Sequence, residues 1–333
     1  MYGAQAKYGF ARQTAEGTPV VATTSPGSFH PFPLLNEDIG LEKDEVISGN
    51  LSGRFAQGAS YDGVSNVNGT IEYEVTPRNM GASLAMAVNH APAVITSGSV
   101  KNWTFLPNTA DFSSTSVKAP WTGYKQFSDS NSAEQMSDLQ FGELSLTVAQ
   151  GQFTKGRIVC AGGVSAVNGV GSANVVPSAT DIGRLFPWNV CSVSIGGVGV
   201  SVMSEITVAL NENIEPLYGL NASLAPLKYT RRDFRQVTVN GTFYMNDRVT
   251  LQDFKAGTQK RLLITLISTI AAIQSGYYDT LTIDVPQMKI LTFKPGASGP
   301  GEVSVPFTAR GVVDPTSDYV VQYTLQNTYA PGY

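Results

Sequence analysis

The tetrapeptide Val-Asn-Gly-Thr occurs twice in this chain, at Val67–Thr70 and again at Val239–Thr242. Each copy opens a run with the period of a strand. In the first, Ile71, Tyr73 and Val75 alternate with Glu72 and Glu74; in the second, Phe243, Tyr244 and Met245 follow. Each copy follows a long polar stretch and precedes a short helix-like segment, and each is closed further on by a pair of alternating strands. Four matching residues are a weak signal alone. The same order of elements around them argues for one β-rich unit used twice.

Composition agrees with a β chain. Charged residues make up 14% of the 333, with 33 Gly and 18 Pro, a turn-rich and lightly charged profile. The length allows two domains with real cores. The formal net charge of −4 gives no basic domain that would hold nucleic acid by counterion release. Met1-Tyr2-Gly3-Ala4-Gln5 has neither a basic n-region nor an apolar h-region, so a soluble protein, made in a cytoplasm and not exported by a standard signal, is expected. The most apolar stretch, Leu262 to Ile273, is broken by Thr265, Ser268 and Thr269 and is too short to span a bilayer. Cys160 and Cys191 are one possible disulfide pair, or two small apolar residues near strands.

The pattern divides the chain as follows. Residues 1–45 form an extended arm with turn signals at Gly17-Thr18-Pro19 and Ser25-Pro26-Gly27, ending in an acidic cluster of Glu37, Asp38, Glu42, Asp44 and Glu45. Residues 46–165 form a first β unit with an insertion at about 107–140. Its marker strand is expected from Gly69 to Val75. Thr76-Pro77 reads as an N-cap with proline at the first helical position, and Met80, Leu84 and Val88 carry a short helix to about His90. Residues 166–192 are a Gly-, Ser- and Ala-rich connector. Residues 193–315 repeat the unit, with a helix suggested by Leu251 and Phe254 and a strand ended by Pro286. Residues 316–333 give a final strand that reads as a tail or an edge.

Residue types that carry chemistry are sparse. His30 and His90 have no third ligand at metal spacing, and no nucleotide-binding, metalloprotease or nucleophile-elbow pattern occurs. Glu72 and Glu74 project side by side from one strand, whereas a glycosidase sets its two acids across a cleft; they read as a polar face meeting water or passing DNA. No cofactor is expected. The basic run Lys228, Arg231, Arg232 and Arg235 reads as a tip that meets an acidic surface of a neighbouring subunit, with the 37–45 cluster as the natural candidate and Arg54 beside it. Trp103, Trp121 and Trp188 would stack on sugars in a carbohydrate-binding or host-attachment β-sandwich, or serve as core and interface anchors.

The arm Lys7-Tyr8-Gly9 through Ala15-Glu16-Gly17-Thr18-Pro19 resembles the start of tail tube proteins from long, non-contractile bacteriophage tails. The run from Ile47 through Gly53-Arg54, Val67–Ile71, Glu74 and Pro77 to Gly81 is similar to that family's core, as is Leu281-Thr282-Ile283, then Pro286, then Val303 to Gly311. The resemblance implies a mainly β fold of two tandem β-sandwich tube domains, each with a short flanking helix. It implies rings whose inner strands close a β-barrel and stack through a long loop or hairpin and a terminal arm. With two domains per chain, three copies would complete a pseudo-hexameric ring. It further implies a virion location and a passive conduit for double-stranded DNA, with Glu72 and Glu74 as candidates for the lumen. The partners it implies are tape-measure, terminator and tail-tip proteins, with no membrane and no catalysis.

Overall fold

The computed structural model describes residues 7–20, 29–48, 60–88, 92–107, 120–126, 133–166, 184–200, 202–220, 223–244, 252, 255–268, 272–293, 303–329 and 333. The first half holds β1 (Lys7–Arg12), β2 (His30–Pro31), β3 (Leu34–Glu37), β4 (Gly40–Ile47) and β5 (Ser60–Glu74). The helix α1 (Pro77–Val88) follows, then β6 (Ala93–Ser97), β7 (Val100–Phe105), β8 (Trp121–Gln126), β9 (Ala133–Ala149) and β10 (Lys155–Ala166). The second half holds β11 (Cys191–Ile195), β12 (Val198–Gly199), β13 (Met203–Asn211), β14 (Ile214–Leu217) and β15 (Lys228–Arg231). It ends with β16 (Gln236–Tyr244), β17 (Lys260–Ser268), β18 (Asp279–Phe293), β19 (Ser304–Val312) and β20 (Gln322–Asn327).

All pairings are antiparallel. One run of neighbours is β4–β5–β10–β9–β13–β16–β19–β18, with β3 also paired to β5. The pairing order around the two markers is therefore the same. The first is the second strand of β4–β5–β10–β9, and the second is the second strand of β13–β16–β19–β18. The long strands β9 and β18 change partners along their length. The first part of β9 pairs with β8, which pairs with β1. The first part of β18 lies between β17 and β20, with β11 beyond β17 and β7 beyond β20. One apolar core runs through both halves, from Phe10, Ile71 and Leu144 to Val239, Ile283 and Leu325.

The marker glycines show why the tetrapeptide recurs. Gly69 has φ +137, and a Cβ there would lie 2.6 Å from the Asp38 carbonyl oxygen and the Ile39 Cα. A Cβ on Gly241 would lie 2.9 Å from the Glu205 carbonyl oxygen and 2.6 Å from the Phe307 ring. The connection between β3 and β4 passes close to the first marker glycine, and β13 and the Phe307 ring to the second, so a side chain at either position would collide.

Helix α1 begins as its sequence requires. Asn79 donates its backbone N–H to Thr76 Oγ1 at 3.2 Å, and Thr76 donates its own N–H to Asn79 Oδ1 at 2.8 Å, a reciprocal cap. Pro77 at the first position lacks only a donor that the helix leaves unused. Every residue from Asn79 to Val88 is buried. The ring of Tyr333 fills the notch at Gly81, 2.0 Å from where a Cβ would sit, and its hydroxyl accepts from Asn327 Nδ2 at 2.9 Å.

His30 is buried beside this end, stacked on Tyr333 at 5.5 Å and bonded to the Tyr329 hydroxyl at 3.2 Å. Burial, with Arg78 nearby, lowers its pKa to about 4. The folded protein therefore resists a proton that the unfolded chain accepts below about pH 6.5. Its contribution is complete above that value and is lost as pH falls from about 6.5 to 4. Urea titrations at pH 7 and pH 4 should show His30→Phe losing less stability on acidification than the parent, by about 2–3 kcal/mol. An equal loss in both would assign the acid sensitivity elsewhere.

Several expectations are corrected. The 1–45 segment is not a free arm over its described part. β1 pairs with β8 along its whole length and buries Phe10 and Ala11, because the short apolar run inside Lys7–Arg12 finds a sheet edge to complete. Within 107–140, the described residues 120–126 and 133–140 are not an insertion but β8 and the start of β9, with Trp121 and Leu139 buried. β5 begins at Ser60 rather than Gly69, and β16 at Gln236, because partner strands supply pairing that polar side chains do not advertise. β18 continues through Pro286, whose missing N–H falls where the pairing with β17 shifts register. β20 is neither tail nor edge, since it lies between β18 and β7 with Tyr323 and Leu325 buried. The suggested helix at Leu251 and Phe254, Arg54, His90 and connector residues 167–183 lie outside the described residues.

Candidate functional site

The sheet β5–β10–β9–β13–β16–β19 presents one continuous polar face. Its register aligns Glu74, Lys155, Thr147, Thr207, Asn240 and Thr308 in a row across the strands. A second row holds Glu72, Arg157, Ser145, Ala209, Thr238 and Arg310, with Lys289 of β18 next to it. The alternate residues, among them Ile71, Ile158, Leu146, Val208 and Val239, are buried in the core. Short hydroxyls dominate the middle of the face, where Thr147 and Thr207 are hydrogen-bonded at 2.9 Å. Charges on it are mixed. Glu72 and Glu74 sit directly opposite Arg157 and Lys155, and Arg157 also meets Glu143 at 3.4 Å. Over β5, β10, β9, β13 and β16 the charges are interleaved, so this part of the face wets readily and offers phosphate little grip.

Two hairpins rise from this sheet. The first joins β4 to β5, and the second joins β14 to β15. The acidic cluster lies at the root and along the first. Glu37 is taken up within the chain: its carboxylate meets Lys125 Nζ at 3.0 Å, and its side chain is only 4% exposed. Asp38 accepts from the Thr70 N–H and hydroxyl, and these bonds hold its pKa below the usual carboxylate range. Glu42 accepts from Asn68 Nδ2 at 2.7 Å, and Glu45 accepts from the Ser60 hydroxyl. Glu42, Asp44 and Glu45 are exposed, as are Val46 and Tyr61.

The basic run of the second hairpin is organised by a residue that sequence reading passed over. Glu212 is fully buried and holds two guanidinium groups. Arg235 reaches it with Nε at 2.6 Å and Nη2 at 3.0 Å, and Arg231 with Nη2 at 2.5 Å. Arg231 and Arg235 are thus structural within the chain. Arg232 pairs with exposed Glu215 at 2.7 Å, and Lys228 lies on β15. A lone Glu after a strand carries no sequence signal; only the fold shows that it faces both arginines.

No cluster of three or more metal-ligating side chains occurs among the described residues. Both cysteines are free, and burial pushes the Cys160 thiol up to about 12. Trp103 and Trp121 are buried, so of the three tryptophans only Trp188 reaches the surface. Among the described residues, no helix is long and apolar enough to cross a membrane.

A sequence model of the family described as phage tail tube protein matches residues 3–311. No curated protein matches the chain.

Proposed function

We propose a structural function from one premise: the chain belongs to the phage tail tube protein family. Copies of it polymerise into stacked rings that form the tube of a phage tail, a passive conduit for the genome. The observation that carries this reading is the polar face of β5–β10–β9–β13–β16–β19, with short side chains and balanced charge. Such a surface suits the wall of a water-filled channel through which a polyanion must slide without being held. Glu72 and Glu74 fit that wall, each opposite a cation.

The repeated pairing order supports a duplicated tube domain, and hence rings of three chains with pseudo-sixfold symmetry. Among the described residues the run from β4 to β18 is open at both ends, and pairing with neighbouring copies would close it into a barrel. The hairpins and the N-terminal segment are the natural contacts between copies, within a ring and between rings, with Arg54, Lys228 and Arg232 among the contact candidates. Tape-measure, terminator and tail-tip proteins are the expected further partners, and synthesis takes place in the host cytoplasm. The role is non-catalytic. Electron microscopy of the purified protein tests the reading: tubes or rings support it, and dispersed monomers that bind glycans would favour an attachment module.

A further inference from the structure

The second half carries an open cleft of about 1060 Å³ between the root of its hairpin and the ends of β18 and β19. Its walls are both basic and apolar, with Arg232, Phe234, Lys289, Leu291, Arg310 and Val313. Phe234 is 82% exposed, and Leu291 and Val313 are about half exposed. Lys289 and Arg310 stand directly opposite each other across β18 and β19. Two like charges in that position repel, and neither makes an ion pair among the described residues. An anionic occupant would remove the cost.

The chain contains a precedent for what fills such a place. The second hairpin leans back across the first half, over the root of the first hairpin and the strand beside it. Ser65 donates its N–H to the Leu224 carbonyl at 2.8 Å, and the Tyr229 hydroxyl donates to Asn66 Oδ1 at 3.3 Å. The Tyr229 ring also fills the notch at Gly162 on β10. Counting from the two markers, Ser65 and Asn66 correspond to Val237 and Thr238, and β10 corresponds to β19. The corresponding surface of the second half is the root of the second hairpin and the end of β19, where the cleft opens. Among the described residues, the end of β18 (289–293) pairs only with β19, so no further strand follows on this side. The strand that would follow is a β4, and its hairpin belongs to another copy.

We propose that the cleft seats the β4–β5 hairpin of a second copy of this chain. That hairpin presents Glu42, Asp44 and Glu45 as exposed anions, with Asp62 paired to Lys43 at 3.4 Å and Val46 and Tyr61 as exposed apolar groups. Its charge and its apolar content complement the cleft. The contact is head to tail, so it propagates from copy to copy until a ring closes. This inference rests on the chain being a self-assembling subunit.

Charge reversal with rescue tests it. The Lys289→Glu/Arg310→Glu variant should melt within a few degrees of the parent yet yield about tenfold less sedimentable assembly. The Asp44→Lys/Glu45→Lys variant should fail likewise. In an equimolar mixture of these two variants every joint between unlike copies is matched and every joint between like copies is mismatched, so unlike copies should join but cannot alternate around a ring of three, whereas the chain carrying all four changes should assemble to within about twofold of the parent. Full assembly by Lys289→Glu/Arg310→Glu, or no recovery in the four-fold variant, overturns the proposal while leaving the tube reading intact. A parent protein that never assembles overturns both.

Discussion

Replacing Glu212 with alanine is expected to cost about 3–5 kcal/mol of folding stability, among the largest losses available to a single side chain here. The carboxylate is fully buried, and its two arginine partners have side chains only 22% and 15% exposed. Without it, two guanidinium groups remain close together, largely out of water and with no compensating charge at that point. Glu212→Gln should be nearly as damaging, since it keeps the shape and removes the charge. Arg232→Ala is the control. Its pair with Glu215 has side chains 66% and 49% exposed, so solvent screens it, and a change of about 0–1 kcal/mol is expected. Urea unfolding of the three variants checks this. A Glu212→Ala loss no larger than that of Arg232→Ala would mean that the cluster is a solvated surface pair.

Gly69→Ala is expected to destabilise the fold by about 3 kcal/mol or more, through backbone strain and a clash that adds to it. Its φ of +137 lies where side chains are strained, and the added methyl would meet backbone atoms of Asp38 and Ile39 at 2.6 Å. Backbone in a paired strand has little room to retreat. Gly241→Ala shares the clash, with the Glu205 carbonyl oxygen at 2.9 Å and the Phe307 ring at 2.6 Å, but no positive φ is recorded there. A smaller loss of about 1–3 kcal/mol is expected for it, since a ring can shift. Comparison of the two denaturation midpoints decides the matter. Equal and negligible effects would mean that the recurring tetrapeptide has no structural cause.

The parts of this fold legible in the sequence were those governed by local periodicity and by special backbone. Alternation of Ile71, Tyr73 and Val75 located the end of β5, and the Thr76-Pro77 pair located the start of α1. The repeated tetrapeptide reads as one β unit used twice; the close approach at its glycines is visible only in the fold. What stayed hidden depends on partners distant in the chain. β1 and β8 have weak patterns of their own and exist because they complete each other at a sheet edge. Ser60–Asn66 reads as loop because its side chains are polar, while its backbone is paired throughout with β4. The acidic cluster and the basic run were visible as charge. That Glu37 belongs to Lys125, and that Arg231 and Arg235 belong to Glu212, follows only from the tertiary fold. The cleft at the end of β18 was invisible for the same reason, since its cations come from the second hairpin, β18 and β19.

Cryo-electron microscopy of assembled tubes tests the central claim most directly, because it counts chains per ring and shows which sheet face lines the channel. The account predicts three chains in each ring, with β4 of one copy beside β18 of the next. It places the row of Thr147, Thr207, Asn240 and Thr308 toward the axis. Six chains in each ring, or that row turned outward from the channel, would contradict it.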